Sequence, residues 1–100
     1  MVRSVLVLRA APGRRGEVVA LFERLRVLEL ASEVPGFRDA ELATSADDAD
    51  ELLVTATWES PDAYARWLES PLRGRIGPEL ERLLAAVPAP RVYELARRVP

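Results

Sequence analysis

Three aromatic side chains lie close together in one stretch of the sequence. The stretch runs TWESPDAYARW from Thr57 to Trp67, and it holds both tryptophans and one of the two tyrosines of the chain. Such a cluster either fills a small core or forms the wall of a pocket for an aromatic ligand, since offset ring pairs gain about 0.5–1.5 kcal/mol beyond burial. Trp58, Tyr64 and Trp67 are therefore the first candidates for a functional site.

Several residue types that usually carry chemistry are absent. The sequence contains no His, Cys, Asn, Gln or Lys, and all 14 basic residues are arginine. This composition excludes an imidazole base, a thiolate nucleophile and a cysteine-held metal. The glycine-rich phosphate-binding motifs and the helical two-histidine zinc motif are also missing. We therefore expect no metal and no other cofactor.

The bulk composition predicts one domain. The chain has 100 residues, of which 49% are apolar and 30% charged, and these values are typical of a soluble globular domain over residues 1–100. The net charge is −2, and no basic cluster is interleaved with aromatic residues, so nucleic acid is not an expected partner. The apolar run at the N-terminus is too short for a signal peptide or a membrane span. We expect a cytoplasmic protein without a membrane partner.

The first half of the sequence predicts a strand, a helix and two further strands. Val2–Arg9 is rich in Val and Leu and predicts the first strand. A helix is predicted from Glu17 to about Val34, where Pro35 and Gly36 end it. Its apolar stripe consists of Val18, Leu21, Phe22, Leu25 and Leu28.

The next two strands are predicted over residues 37–44 and 51–58. They are joined by the acidic turn SADDAD, whose carboxylates lack the glycine and terminal Glu of a calcium loop, so a solvated hairpin is expected. In the third strand, alternation places four residues on one face: Leu52, Val54, Ala56 and Trp58.

The remaining sequence predicts a broken helical region and a last strand. Ser60 is a good N-cap, Pro61 suits the first helical position, and Asp62 favours the positive end of the helix dipole. This helix should run through Leu68 and end at the stretch SPLRGRIGP. Another helix is predicted from residue 78 to residue 86, and the fourth strand from residue 91 to residue 96.

The order β-α-β-β-α-β predicts an α+β, ferredoxin-like fold: a four-stranded antiparallel sheet with helices on one face. The first and third strands carry apolar residues on both faces, for example Val5 beside Leu6 and Leu53 beside Val54. The uncovered face would be a large apolar patch. We therefore predict a homodimer that packs two sheet faces together.

The order of elements, with EVPGF after the first helix and TWESPDAYARW after the third strand, resembles the antibiotic biosynthesis monooxygenase family. The resemblance covers residues 2 to about 99 and implies a dimeric α+β barrel. Some members of this family turn phenolic polyketide rings into quinones without a cofactor. Others isomerise or cyclise small molecules or degrade haem, and the haem-degrading branch needs a His that this chain does not have.

The resemblance also implies site residues. In the quinone-forming members, a Trp at the end of the third strand and a Tyr six residues later line the pocket, and Trp58 and Tyr64 match both. An Arg from the later helix contributes in some members, and Arg82 is its nearest counterpart. These three are the expected catalytic residues. The expected substrate-binding residues are Phe22, Phe37, Val54, Ala56, Trp67 and Arg75.

Two features of this expected site remain open at the level of sequence. Some members carry an assisting Asn four residues before the Trp, where this chain has Val54. The arginines of the second helical region form mainly a solvated face, but one that turned inward would pair with a phenolate. Spacing alone leaves open which one does so among Arg66, Arg73, Arg75 and Arg82.

The leading hypothesis is therefore a cofactor-independent monooxygenase that acts on a small aromatic, polyketide-like substrate in a pocket between sheet and helices. Two alternatives stay open. The first is a cyclase or isomerase of a biosynthetic intermediate on the same scaffold. The second is a non-catalytic dimer that binds a small molecule.

Overall fold

The computed structural model describes the backbone of residues 1–100 and every side chain except that of Leu72. Over this range the elements are β1 (Val2–Arg9), α1 (Arg15–Arg24), α2 (Val27–Ser32), β2 (Phe37–Thr44), β3 (Glu51–Trp58), α3 (Pro61–Glu69), α4 (Pro71–Glu81) and β4 (Arg91–Glu94). The four strands form one antiparallel sheet in the order β2-β3-β1-β4. The predicted ferredoxin-like α+β fold is confirmed.

The register of β1 and β3 defines the covered face of the sheet. Val2 lies opposite Trp58, Ser4 opposite Ala56, Leu6 opposite Val54 and Leu8 opposite Leu52. Because side chains alternate along a strand, these pairs share the face that packs against the helices. The core lies there, and its central side chains include Leu8, Leu52, Val18 and Phe22.

The opposite face of the sheet carries apolar side chains that remain in contact with solvent. Val7 is 50% exposed, Leu53 38% and Tyr93 50%. Their neighbours toward the sheet edges are charged: Arg3 and Arg91 on β1 and β4, and Asp39 and Glu41 on β2. This face carries no helix of the chain itself.

The prediction of one continuous helix before β2 is wrong, because that region is divided into α1 and α2. Arg26 separates the two helices with a left-handed φ of 52°. The break turns Val27 and Ala31 inward, where they are 7% and 5% exposed. The apolar spacing does not reveal this break, since a single left-handed residue leaves the stripe nearly continuous.

The predicted break of the second helical region is confirmed at Ser70, but the prediction that it extends to Pro78 is wrong, because α4 begins at Pro71 and contains Pro78. Only Ser70 is extended, with ψ 130°, and Pro71 then suits a first helical position.

Helix α4 ends at Glu81 and not at residue 86, because the backbone beyond it pairs with the end of β1. The amide of Ala11 donates to the carbonyl of Leu83 at 2.8 Å, and the amide of Ala85 donates to the carbonyl of Arg9 at 2.8 Å. The last strand is likewise shorter than predicted and ends at Glu94.

Within the described chain, every helix is too short or too polar to cross a lipid bilayer.

Candidate active site

A cavity of about 60 Å³ lies between the covered sheet face and the helices. The sheet supplies its floor and α2, α3 and α4 supply its walls. Most of the lining is apolar. The lining residues are Ser4, Leu6, Val27, Leu28, Ala31, Ala40, Val54, Ala56, Trp58, Tyr64, Trp67 and Arg73.

Trp58, the last residue of β3, is held rigidly at the edge of this cavity. Its side chain is 1% exposed, and its indole N–H donates to the Oγ of Ser4 at 3.0 Å. The ring of Phe37 meets the indole edge-on with centroids 5.4 Å apart, and the ring of Tyr64 lies at 5.7 Å, tilted by 49°. These contacts leave the indole one orientation.

The start of α3 positions the second aromatic residue of the site. The Oγ of Ser60 accepts a hydrogen bond from the amide of Ala63 at 3.4 Å, and Pro61 occupies the first helical position. The helix therefore begins directly after β3, which carries Tyr64 and Trp67 over the cavity at helical spacing. The N-cap and first helical residue predicted from the sequence are confirmed.

Tyr64 and Arg73 are the polar groups that the helices contribute to the lining. Both side chains are partly exposed. Burial raises the pKa of the Tyr64 phenol above its usual value of 10.0, and the positive charge of Arg73 opposes that rise. Tyr64 is therefore neutral at physiological pH and can donate a hydrogen bond. Among the described side chains, none forms an ion pair or hydrogen bond with the guanidinium of Arg73, which leaves it able to meet an anionic ligand.

The structure brings five of the nine predicted site residues into the lining of this cavity. They are Val54, Ala56, Trp58, Tyr64 and Trp67. Phe37 lies behind Trp58 and supports it. Phe22 is 5% exposed and packs with Leu8 and Leu52 in the main core.

The two predicted arginines lie elsewhere. Arg75 is exposed on α4 and is not part of the lining. Arg82 lines a separate, open groove between α1 and the end of α4, beside the ion pair that Arg24 forms with Glu79 at 2.7 Å. The arginine that the fold turns toward the cavity is Arg73.

Sequence reasoning missed several lining residues. α2 contributes Val27, Leu28 and Ala31, which were assigned to an uninterrupted helix. The sequence leaves open which of four arginines faces the cavity, and it does not single out Arg73, because it predicts no helix over residues 71–77. Ser4 had a usable signal: it is a polar residue on the strand face that also carries Leu6 and Leu8.

The acidic hairpin is a structural feature. Asp48 forms an ion pair with Arg9 at 2.8 Å, and Arg15 donates to the carbonyls of Ser45 and Asp48 at 2.9 and 2.8 Å. The hydrogen bond from Arg9 holds the pKa of the Asp48 carboxyl below its usual value. The described residues contain no group of three or more potential metal ligands.

The covered face of the ferredoxin-like sheet therefore encloses a mostly apolar cavity whose lining includes one arginine and one tyrosine. A family model described as antibiotic biosynthesis monooxygenase matches residues 1–76. The chain belongs to this family. The matched range includes Trp58, Tyr64 and Arg73 but ends before Arg82.

Individual relatives agree with this assignment. Protein SchA from Streptomyces halstedii is 32% identical over 69 residues, which are 69% of this chain but only 18% of SchA. The chain thus spans about a fifth of the curated relative that it matches. Among solved structures, SnoaB, a cofactor-independent oxygenase from Streptomyces nogalater, matches with a TM-score of 0.84 and 20% identity over 99% of this chain and 96% of that one. Rv0793 from Mycobacterium tuberculosis matches with a TM-score of 0.83 and 21% identity over 99% of this chain and 98% of that one. At these identities the structural matches show a common fold.

Proposed function

We propose that this protein is a small-molecule monooxygenase that oxidises an electron-rich aromatic substrate without a bound metal or flavin. The observation that carries the proposal is the position of Arg73, which lines a mostly apolar cavity together with Trp58 and Tyr64. Among the described side chains, none pairs with its guanidinium. A guanidinium in such surroundings stabilises a phenolate or enolate more strongly than water-exposed charge does. Membership of the family and the oxygenase activity named for SnoaB support the same reaction class.

The proposed reaction needs only the substrate and molecular oxygen. An anthrone loses a proton from its reactive carbon, and the resulting anion passes one electron to oxygen. Recombination of the two radicals forms a C–O bond, and protonation gives a hydroperoxide. Loss of water breaks the O–O bond and leaves a quinone carbonyl, so one oxygen atom enters the product and the other leaves as water.

The side chains have separate roles in this proposal. Arg73 stabilises the substrate anion, the neutral hydroxyl of Tyr64 donates to a substrate oxygen, and Trp58 provides a fixed wall against which the ring packs. Because the pKa of Tyr64 is raised above 10.0, the phenol stays protonated at neutral pH and does not accept the substrate proton. The substrate proton therefore passes to water or leaves before binding.

The substrate must open the cavity to enter. A volume of about 60 Å³ is smaller than the roughly 150 Å³ of an engineered apolar cavity that binds benzene. The segment of α4 that carries Arg73 is the wall best suited to move, because Gly74, Gly77 and Pro78 all weaken a helix. We propose that residues 71–77 move outward to admit the ligand.

Oxygen uptake tests the function against its two alternatives. Purified protein is mixed with an anthrone or a dihydroxynaphthalene while oxygen and product are followed together. A monooxygenase consumes one oxygen molecule for each quinone formed, above the rate of autoxidation. A cyclase or isomerase converts its substrate without consuming oxygen, and a non-catalytic binder quenches tryptophan fluorescence without turnover.

We further propose that two copies pack through the open sheet face. The apolar centre there includes Val7, Leu53 and Tyr93, and covering it would remove these groups from water. The basic residues lie toward β4 and the acidic ones toward β2, at opposite ends of the sheet order. A two-fold axis parallel to the strands places β2 of one copy over β4 of the other, which brings opposite charges together.

Sedimentation equilibrium tests this arrangement. The wild-type chain should sediment as a dimer at micromolar concentration. Arg91→Glu should weaken the dimer, and adding Glu41→Arg should restore it. A monomeric wild-type chain, or a dimer insensitive to both substitutions, would contradict the arrangement.

A further inference from the structure

Ser4 is the one polar side chain that the sheet contributes to the described cavity lining, apart from the indole of Trp58. It lies on β1 and is 8% exposed. The apolar residues around it, Leu6, Ala40 and Ala56, offer a ligand no polar side-chain group. Ser4 is therefore the hydroxyl that the sheet offers to a ligand oxygen among the described lining residues.

The two hydrogen bonds of the Ser4 hydroxyl are unequal. Its Oγ accepts from the indole N–H of Trp58 at 3.0 Å, an ordinary length, and donates to the carbonyl of Ala56 at 3.5 Å. A hydroxyl donor bond is normally 2.5–3.0 Å long, so the donated bond is weak. Because a hydroxyl hydrogen rotates freely, it can turn from Ala56 to a ligand at small cost. The bond accepted from Trp58 also polarises the hydroxyl and makes it a better donor.

Ser4 and Val54 lie near each other on the same face of the sheet, on the neighbouring strands β1 and β3. Ser4 lies opposite Ala56, and Leu6 lies opposite Val54, so Ser4 and Val54 are diagonal neighbours on one face. Such neighbours are about 7–8 Å apart, within reach of one ligand. The side chain of Val54 cannot form a hydrogen bond. Ser4 places a donor on the same floor from the neighbouring strand.

We infer that the Ser4 hydroxyl is a substrate-binding group that donates a hydrogen bond to a phenol or ketone oxygen of the ligand. The inference rests on the proposed function, because it assumes an oxygen-bearing aromatic ligand in this cavity. It also gives Trp58 a second role: through its N–H it orients the hydroxyl that binds the substrate.

The test compares phenol with toluene, which differ only by a methyl group in place of the hydroxyl. Affinities for both are measured by calorimetry on the wild-type protein and on Ser4→Ala, Ser4→Thr and the double variant Ser4→Ala/Val54→Asn. The preference for phenol should fall about three- to tenfold in Ser4→Ala, as expected for one neutral hydrogen bond. Ser4→Thr should keep it, and the double variant should regain it from the neighbouring strand.

Each outcome is decisive. If Ser4→Ala lowers stability but keeps the wild-type preference for phenol, Ser4 only supports Trp58 and the inference is wrong, while the proposed function stands. If the wild-type protein binds neither phenol nor toluene, the proposed ligand class fails and Ser4 as its donor fails with it. Stability of each variant in urea separates a loss of fold from a loss of recognition.

Discussion

A methyl group on Gly36 would lie only 2.7 Å from the Cβ of Ala63, a contact that real Cβ atoms essentially never make. Gly36 also has a φ of +93°, which side-chain-bearing residues rarely adopt. The turn before β2 therefore docks directly on the first turn of α3, and the amide of Glu59 donates to the carbonyl of Gly36 at 2.8 Å. This contact fixes the entry of the helix that carries Tyr64.

Replacing Gly36 by alanine tests that contact. Gly36→Ala should lower the free energy of unfolding by about 2–5 kcal/mol, as the sum of backbone strain and overpacking. Gly13→Ala is the matched control, because Gly13 also has a positive φ, of +78°, but has no atom within 4 Å of an added Cβ. The control should lose only about 1–2 kcal/mol in urea denaturation. If both variants lose the same free energy of unfolding, the close approach of Gly36 to Ala63 does not contribute to the effect of the substitution.

Gly74 and Gly77 have no steric reason to be glycine, since an added Cβ would meet nothing within 4 Å at either position. Alanine should therefore stabilise α4 by up to about 1 kcal/mol at each site. If residues 71–77 open to admit the ligand, the double variant should also bind phenol more slowly in stopped-flow fluorescence. Gly16→Ala in α1, which is equally unobstructed, should leave the association rate unchanged. Association at the wild-type rate in a stabilised Gly74→Ala/Gly77→Ala variant would contradict opening at this segment.

Arg73 should make the cavity prefer anions. We expect Arg73→Gln to weaken binding of 4-nitrophenolate about tenfold or more, since a charge-assisted hydrogen bond contributes about 1.5–3 kcal/mol. Binding of neutral 4-nitrophenol at lower pH should change little. Arg75→Gln and Arg82→Gln are matched controls, because neither side chain is part of the cavity lining. A larger effect in either control than in Arg73→Gln would reassign the anion-binding role.

Tyr64 should make the stability of the protein depend on pH in the alkaline range. Burial raises the pKa of its phenol above 10.0 in the folded state, so the folded chain keeps the proton at a pH where the unfolded chain releases it. The Tyr64 contribution to stability is therefore complete below pH 10.0 and is lost as pH rises through the folded-state pKa. Tyrosinate absorbance during alkaline titration should show a high-pH component that Tyr64→Phe removes. If the part of the absorbance change that Tyr64→Phe removes has a pKa of 10.0 or lower, the burial of Tyr64 against Trp58 is contradicted.

The sequence predicted the strands and the sheet better than the helices. Runs rich in Val and Leu predicted β1 and β3, and β2 was predicted between Gly36 and the acidic turn SADDAD. Arg26 shows the opposite case: one left-handed residue divides a helix without disturbing its apolar stripe. Pro71 and Pro78 suggested a break, yet the first begins α4 and the second lies within it, since propensity is overridden where Ile76 is buried against the core.

The candidate site was predictable where it follows β3 along the chain. Trp58, Val54 and Ala56 share a strand face, and Tyr64 and Trp67 follow at helical spacing from a capped start. The rest of the lining depends on distant contacts. Ala40 reaches the cavity through the pairing of β2 with β3. Arg73 reaches it because α4 begins at Pro71, about two turns before the predicted start at residue 78.

In the proposed function, the substrate is oxidised inside the cavity between the sheet and the helices. Ala40→Leu tests it by filling the cavity without removing any chemical group, since Ala40 lines it from β2. Ala65→Leu, on the exposed side of α3, is the matched control, and both variants should remain as stable as the wild type. With an anthrone as substrate, we expect Ala40→Leu to lose protein-dependent oxygen uptake while Ala65→Leu keeps it. Full oxygen uptake by a folded Ala40→Leu variant would contradict the account, because the reaction would then take place outside the cavity.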